Sequence, residues 1–156
     1  MNIRRAGEKD VRRVSELLSQ VLEIHARIRP EIFIAGTTKY TPAELIGIFE
    51  NDRTPVYVAT DERDEVVGYV FCVLKEVCNN NMHPFKAIFI DDLCVDESQR
   101  GRHTGEALFR FVLDEAKRLG CREVTLNVWE GNGAARRFYE KMGMRPRETQ
   151  MEYMLS

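Results

Sequence analysis

Val95-Asp96-Glu97-Ser98-Gln99-Arg100-Gly101-Arg102-His103-Thr104-Gly105 joins an apolar, strand-like run to the start of a helical pattern. The run before it, Phe85–Val95, is apolar on both faces, as expected of a strand covered on both sides by helices. After it, Leu108, Phe111, Val112, Ala116 and Leu119 form one stripe of a helix over Gly105–Leu119, stopped by Gly120. A strand feeding a helix N-terminus presents unpaired backbone N–H groups and the positive end of the helix dipole, a setting that suits an anion. Gly101 and Gly105 let a ligand approach the backbone, and Arg100 and Arg102 add positive charge. The same composition also describes a tight turn with two solvated arginines, so the loop needs a second witness.

That witness lies further on, in Leu126-Asn127-Val128-Trp129-Glu130-Gly131-Asn132-Gly133-Ala134-Ala135-Arg136-Arg137-Phe138-Tyr139-Glu140-Lys141-Met142-Gly143-Met144. It reads as a strand, a short turn and a helix with Asn132 as N-cap. Ala135, Phe138, Tyr139 and Met142 fall at i, i+3, i+4 and i+7, one inward face. Taken alone, Tyr139 is a core tyrosine with its hydroxyl satisfied.

Together the two segments resemble the two signature motifs of the GNAT superfamily of N-acetyltransferases. The first motif, Arg/Gln-x-x-Gly-x-Gly/Ala, is met at Arg100 and Gly105; the second, Asn-x-x-Ala-x-x-Phe-Tyr-x-x-x-Gly-Phe, at Asn132, Ala135, Phe138, Tyr139 and Gly143. Element order agrees along nearly the whole chain. Two positions depart: His103 stands where the motif has its first Gly, and Met144 replaces Phe. Met conserves bulk. His103 requires either a negative φ or a tolerated left-handed residue.

The rest of the chain fits that frame. Met1–Arg5 reads as a strand, Val11 to about Ala26 as an amphipathic helix, and Thr41-Pro42-Ala43-Glu44 as a capped helix start. Pro55–Thr60 and Val66–Val77 form a hairpin around Asp61–Asp64. Glu123–Val128 is a buried strand, and Thr149–Leu155 alternates as a last one. The expectation is α+β: a single GNAT-like domain over residues 1–156, its mixed, mostly antiparallel sheet of six to seven strands carrying helices on both faces.

The resemblance implies direct transfer of an acetyl group from acetyl-CoA, a cosubstrate, to a primary amine. It assigns cofactor contacts to the strand backbone at Leu93, Cys94 and Val95 and the loop Arg100, Gly101, Arg102, His103, Thr104 and Gly105. Asn132, Ala135 and Phe138 complete that set. It gives Tyr139 the role of protonating the departing thiolate. An alkylamine is almost wholly protonated at neutral pH, so a base or water chain must remove its proton. The adjacent acids Asp91 and Asp92 are the candidates, with Asp91 slightly favoured and Glu130 weaker; strand alternation lets at most one of the pair face the acceptor. Another acyl-CoA donor, or a catalytically inactive CoA-binding regulatory module, is the alternative.

Composition narrows the classes. A formal charge of −2 over 156 residues gives no whole-molecule field for nucleic acid, and no run approaches the ~20 apolar residues of a membrane span. The start MNIRRAGEKD lacks a signal-peptide apolar run, so the expectation is a cytoplasmic protein with no membrane partner. Cys72, Cys78, Cys94 and Cys121 form no C-x-x-C pair and stand at no metal-ligand spacing with His25, His83 or His103, so no metal is expected. A homodimer is compatible with the sequence. The segments expected to meet the acceptor, His25–Tyr40 and Cys78–Pro84, mix charges and aromatics and name no substrate.

Overall fold

The computed structural model describes all 156 residues. Its elements run β1 (Asn2–Arg5), α1 (Val11–Ile28), α2 (Pro42–Glu50), β2 (Val56–Thr60), β3 (Val66–Val77), β4 (Phe85–Val95), α3 (Thr104–Arg118), β5 (Glu123–Leu126) and α4 (Gly133–Lys141). The strands form one sheet in the order β1-β2-β3-β4-β5, antiparallel throughout except for the parallel pair β4–β5.

Local chemistry sets the boundaries. α1 carries the apolar stripe Val14, Leu17 and Leu18 into the core and stops at Arg29, the residue before Pro30, which disfavours helical backbone there. α2 opens on a reciprocal capping box: Thr41 Oγ1 accepts from the Glu44 N–H at 3.2 Å, and Glu44 Oε1 accepts from the Thr41 N–H at 3.0 Å. The β2–β3 turn is held by Asp61, whose Oδ1 accepts from the N–H groups of Arg63 and Glu65.

The sheet separates two cores. On one face α1 and α2 bury Val14, Leu17, Leu45 and Phe49 against Val56, Val58, Tyr69, Phe71 and Cys94. On the other, α3 buries Leu108, Phe109, Val112 and Ala116 against Tyr57, Val70, Cys72, Ile88 and Ile90, with Tyr139 and Met142 of α4 packed alongside. α3 settles closely because Gly68 has no side chain: a Cβ there would meet the Cys94 carbonyl oxygen and Leu108 Cδ1, both at 3.1 Å.

The sheet has five strands rather than six to seven. Thr149–Leu155, expected as a strand, forms none. Alternation describes a strand's faces, but a strand also needs a neighbour for its N–H and C=O groups, and no residue beyond Met144 takes part in a backbone–backbone hydrogen bond.

Candidate active site

The two ladders on either side of β4 end at different places. Pairing with β5 stops at Ile90↔Leu126, whereas pairing with β3 continues to Val95↔Gly68. Asp91–Val95 therefore has a strand partner on one side only, and its other edge faces a gap where β4 and β5 part. Leu93, Cys94 and Val95, singled out from the sequence, line that edge.

A bulge lies where the gap begins. Phe71 pairs with Asp92 and the next residue, Cys72, with Ile90, so Asp91 is one residue extra in β4. The bulge breaks simple alternation. Ile88 and Ile90 face α3, yet Asp92 and Cys94, although an even number of residues further, face α1 and α2.

This separates the two candidate acids. Asp91 is exposed and pairs with Lys39 at 3.4 Å. Asp92 turns inward, where Tyr69 Oη donates to its Oδ2 at 2.6 Å. Burial pushes the Asp92 carboxyl up to about 6, against the pull of the Tyr69 hydrogen bond and the Lys39 charge. Tyr69 is itself held protonated by burial and by the Asp92 charge. Asp92 is thus the acid held near neutrality, whereas Asp91 is tied to Lys39 at the surface. Tyr69 and Lys39 were missed in the sequence, because only the register that sets Tyr69 opposite Cys94 and the loop that returns Lys39 reveal them.

Tyr139 lies on α4, half-buried beside Phe109 and Phe138, with ring centroids 6.2 and 5.1 Å away. Burial, then the charge of Asp92, raises its hydroxyl well above the ordinary tyrosine value. It is therefore a neutral phenol. Asn132 caps its helix, the side chain accepting from the Ala135 N–H at 3.3 Å.

Between β4 and α3 runs the loop of Arg100, Gly101, Arg102, His103 and Thr104. Asp96 anchors its start, accepting from the Ser98 N–H at 3.2 Å and pairing with Arg13 of α1. Gly101 and His103 both have positive φ, +82° and +62°. His103 thus takes the left-handed alternative, which histidine tolerates better than bulky residues, and its exposed ring stands 3.4 Å from Glu106. Thr104, the first residue of α3, is buried, its methyl 3.4 Å from where a Cβ on Gly68 would stand. Gly105 serves packing directly: a Cβ there would meet the Phe138 ring at 3.3 Å.

On the α1–α2 side the connecting loop builds an aromatic wall. His25 and Phe33 lie 5.2 Å apart, Phe33 meets Trp129 edge-on at 5.6 Å, and Tyr40 stacks on Phe71 at 6.1 Å. Burial and nearby Lys39 hold His25 below its ordinary value. Glu130 pairs with Arg136 on the surface at 3.4 Å. Burial raises the thiols of Cys72 and Cys94 to about 12, and all four cysteines are free. No cluster of three or more His, Cys, Asp or Glu gathers as a metal site, and no helix is long and apolar enough to cross a membrane.

Comparison with known proteins places this geometry in context. The sequence profile of the Acetyltransferase (GNAT) family matches residues 18–144. The chain is 38% identical over 66 residues to glucosamine 6-phosphate N-acetyltransferase of Arabidopsis thaliana, a match spanning 42% of each chain. Over whole structures it is similar to a mutant of the BH1408 protein from Bacillus halodurans, at 30% identity, with all of both chains covered and a TM-score of 0.95. The crystal structure of the Arabidopsis thaliana enzyme superposes with a TM-score of 0.71 at 26% identity, covering 99% of this chain and 98% of that one.

Proposed function

The chain belongs to the acetyltransferase (GNAT) family, which makes it an acyltransferase, and from that premise we propose transfer of an acetyl group from acetyl-CoA to a primary amine by direct attack. The observation that carries the reading is the one-sided strand Asp91–Val95, flanked by Asp92 on one face of the sheet and Tyr139 on the other. Free backbone groups of Leu93–Val95 suit pairing with the amide-bearing arm of the cofactor. The Arg100–Gly105 loop suits its pyrophosphate, since the first turn of α3 offers N–H groups with no partner inside the helix.

In this reading Asp92 takes a proton from the incoming ammonium, held there by Tyr69. The nitrogen then attacks the thioester carbon, forming the C–N bond as electrons move onto the carbonyl oxygen. A β4 backbone N–H stabilises that oxyanion. When the C–S bond breaks, Tyr139 gives its proton to the thiolate, and the second proton of the attacking nitrogen leaves through water to restore the phenol. The aromatic wall of His25, Phe33, Tyr40 and Trp129 borders the acceptor side. A sugar-phosphate amine is the first acceptor to try, because the Arabidopsis thaliana relative is named for glucosamine 6-phosphate. We read residues 1–156 as one domain of a cytoplasmic enzyme.

Thiol release from acetyl-CoA, measured against glucosamine 6-phosphate, aminoglycosides, polyamines and peptide N-termini, tests the proposal. Turnover of one amine class supports it. Binding of acetyl-CoA without turnover of any amine favours the inactive sensor, and faster release from succinyl- or propionyl-CoA favours another donor.

A further inference from the structure

Lys39 carries a primary amine into the surroundings that the proposed reaction reserves for its acceptor. Its Nζ lies 3.4 Å from Asp91 Oδ2 and 5.4 Å from the centroid of the Tyr40 ring. Asp91 opens the one-sided stretch Asp91–Val95, and next to it stands Asp92, whose charge acts on the same ammonium. The Lys39 charge also reaches His25 in the aromatic wall. A carboxylate, the face of a phenol ring and a second acid turned inward are what an alkylammonium needs from a binding site.

Of the six lysines, Lys39 alone pairs with a residue of that stretch. Lys9 is tied to Asp64 beside β1, and Lys75 lies over Phe89, where β4 is paired on both sides. Burial works against the Lys39 charge, but Asp91 and then Asp92 outweigh it, so the side chain is held as an ammonium. Half of it is open to solvent. Thr38, Lys39 and Tyr40 make no backbone–backbone hydrogen bond, so the amine is directed by these contacts and not by a rigid element.

We propose that Lys39 is itself an acceptor: with no amine bound, the enzyme transfers one acetyl group from acetyl-CoA to the Lys39 Nζ of its own chain. The step rests on the proposed reaction and uses the same groups. Asp92 takes a proton from the Lys39 ammonium, and the freed nitrogen attacks the thioester carbon. The C–N bond forms and the C–S bond breaks. Tyr139 protonates the thiolate, and the second nitrogen proton leaves through water. The products are Nε-acetyl-lysine and CoA, and no further reactant is needed. The new amide is neutral, so Asp91 is released from its ion pair.

Incubation of the full chain with acetyl-CoA alone, followed by intact mass and peptide mapping, tests the proposal. One acetyl group per chain should appear on the peptide that holds Lys39. Its rate should not depend on protein concentration, because donor and amine are held by one chain. Asp92→Asn should slow the labelling of Lys39 by at least about 10²-fold and leave the uncatalysed labelling of Lys75 and Lys86 as it is. The preference for Lys39 over Lys75 and Lys86 in the wild type stands as a readout even if the variant folds poorly. Labelling of Lys39 no faster than that of Lys75 or Lys86, a rate that rises with protein concentration, or labelling unchanged in a folded Asp92→Asn overturns the proposal. Turnover of an external amine while Lys39 stays unlabelled overturns it too and leaves the proposed reaction standing. Acetyl-CoA left intact with and without amines overturns both.

Discussion

Asp10 and Asp92 are both carboxylates drawn out of bulk water, and their surroundings drive them in opposite directions. Burial raises the Asp10 carboxyl, but Arg4 grips both its oxygens at 2.8 and 2.9 Å and the Gly7 N–H donates at 2.9 Å, leaving it below the ordinary value. Asp92 has no guanidinium, only neutral donors, chiefly Tyr69, and a more distant Lys39, so burial prevails and the carboxyl rises to about 6. An acid matched by a guanidinium is a structural tie, stable as the anion and inert to protons near neutrality. One given a single phenol is left able to exchange its proton. The stability consequences have opposite signs. Asp10 contributes stability above the ordinary carboxylate value, lost as pH falls through its lowered folded value. Asp92, raised from 3.8, costs stability when ionised: the full cost, about 3 kcal/mol, applies above about 6 and is relieved as pH falls toward 3.8.

The contrast is broken most directly at Asp92. Asp92→Asn should lower kcat/KM by about 10³-fold and remove the acidic limb near pH 6, while leaving the protein at neutral pH no less stable than wild type. Loss of stability with the limb intact would make Asp92 a second structural acid. Tyr139→Phe, on the other face, should reduce kcat about 10²-fold with the KM for acetyl-CoA little changed, because the hydroxyl acts only as the C–S bond breaks. A loss under about threefold would return Tyr139 to the core.

Asp10→Asn is the converse experiment. Urea unfolding should show a loss of about 2 kcal/mol, toward the low side for a broken buried pair because Arg4 retains solvent contact. Steady-state rates at temperatures where the variant stays folded should be unchanged. The smallest expected effect belongs to Tyr69→Phe. Deleting the donor to Asp92 should move the acidic limb upward in pH, with kcat on the plateau falling less than about tenfold. A plain loss of stability, with no movement of the pH profile, would mark Tyr69 as packing alone.

Most of the fold was legible because its signals are local. The α1 stripe, the Thr41 box, the Asp61 turn, and Gly120 after α3 each announce an element within a few residues. The loop of Arg100–Gly105 and the Asn132–Tyr139 pattern were legible for the same reason. What escaped depends on distant partners. Nothing near Thr149–Leu155 reports that no strand of the sheet pairs with it. Alternation says only that at most one of Asp91 and Asp92 faces the acceptor, and it holds only in an uninterrupted strand, which the bulge at Asp91 breaks. Lys39, which neutralises Asp91, lies 52 positions away in a loop with no periodicity. His103 left two backbone conformations open, and the turn following Gly101 selects the left-handed one.

The bulge at Asp91 decides which face of the sheet Asp92 meets. It divides β4 into two stretches of opposite parity: Ile88 and Ile90 answer to α3, while Asp92 and Cys94 answer to α1 and α2. A ladder that kept Asp91 in regular pairing, with no bulge, would seat it opposite Phe71. Asp92 would then follow Ile90 at a spacing of two onto the α3 face, among Leu108 and Val112, and Leu93 would turn toward Tyr69. The Asp92 carboxyl and the Tyr69 phenol would then stand on opposite sides of the sheet, each perfectly preserved and unable to meet.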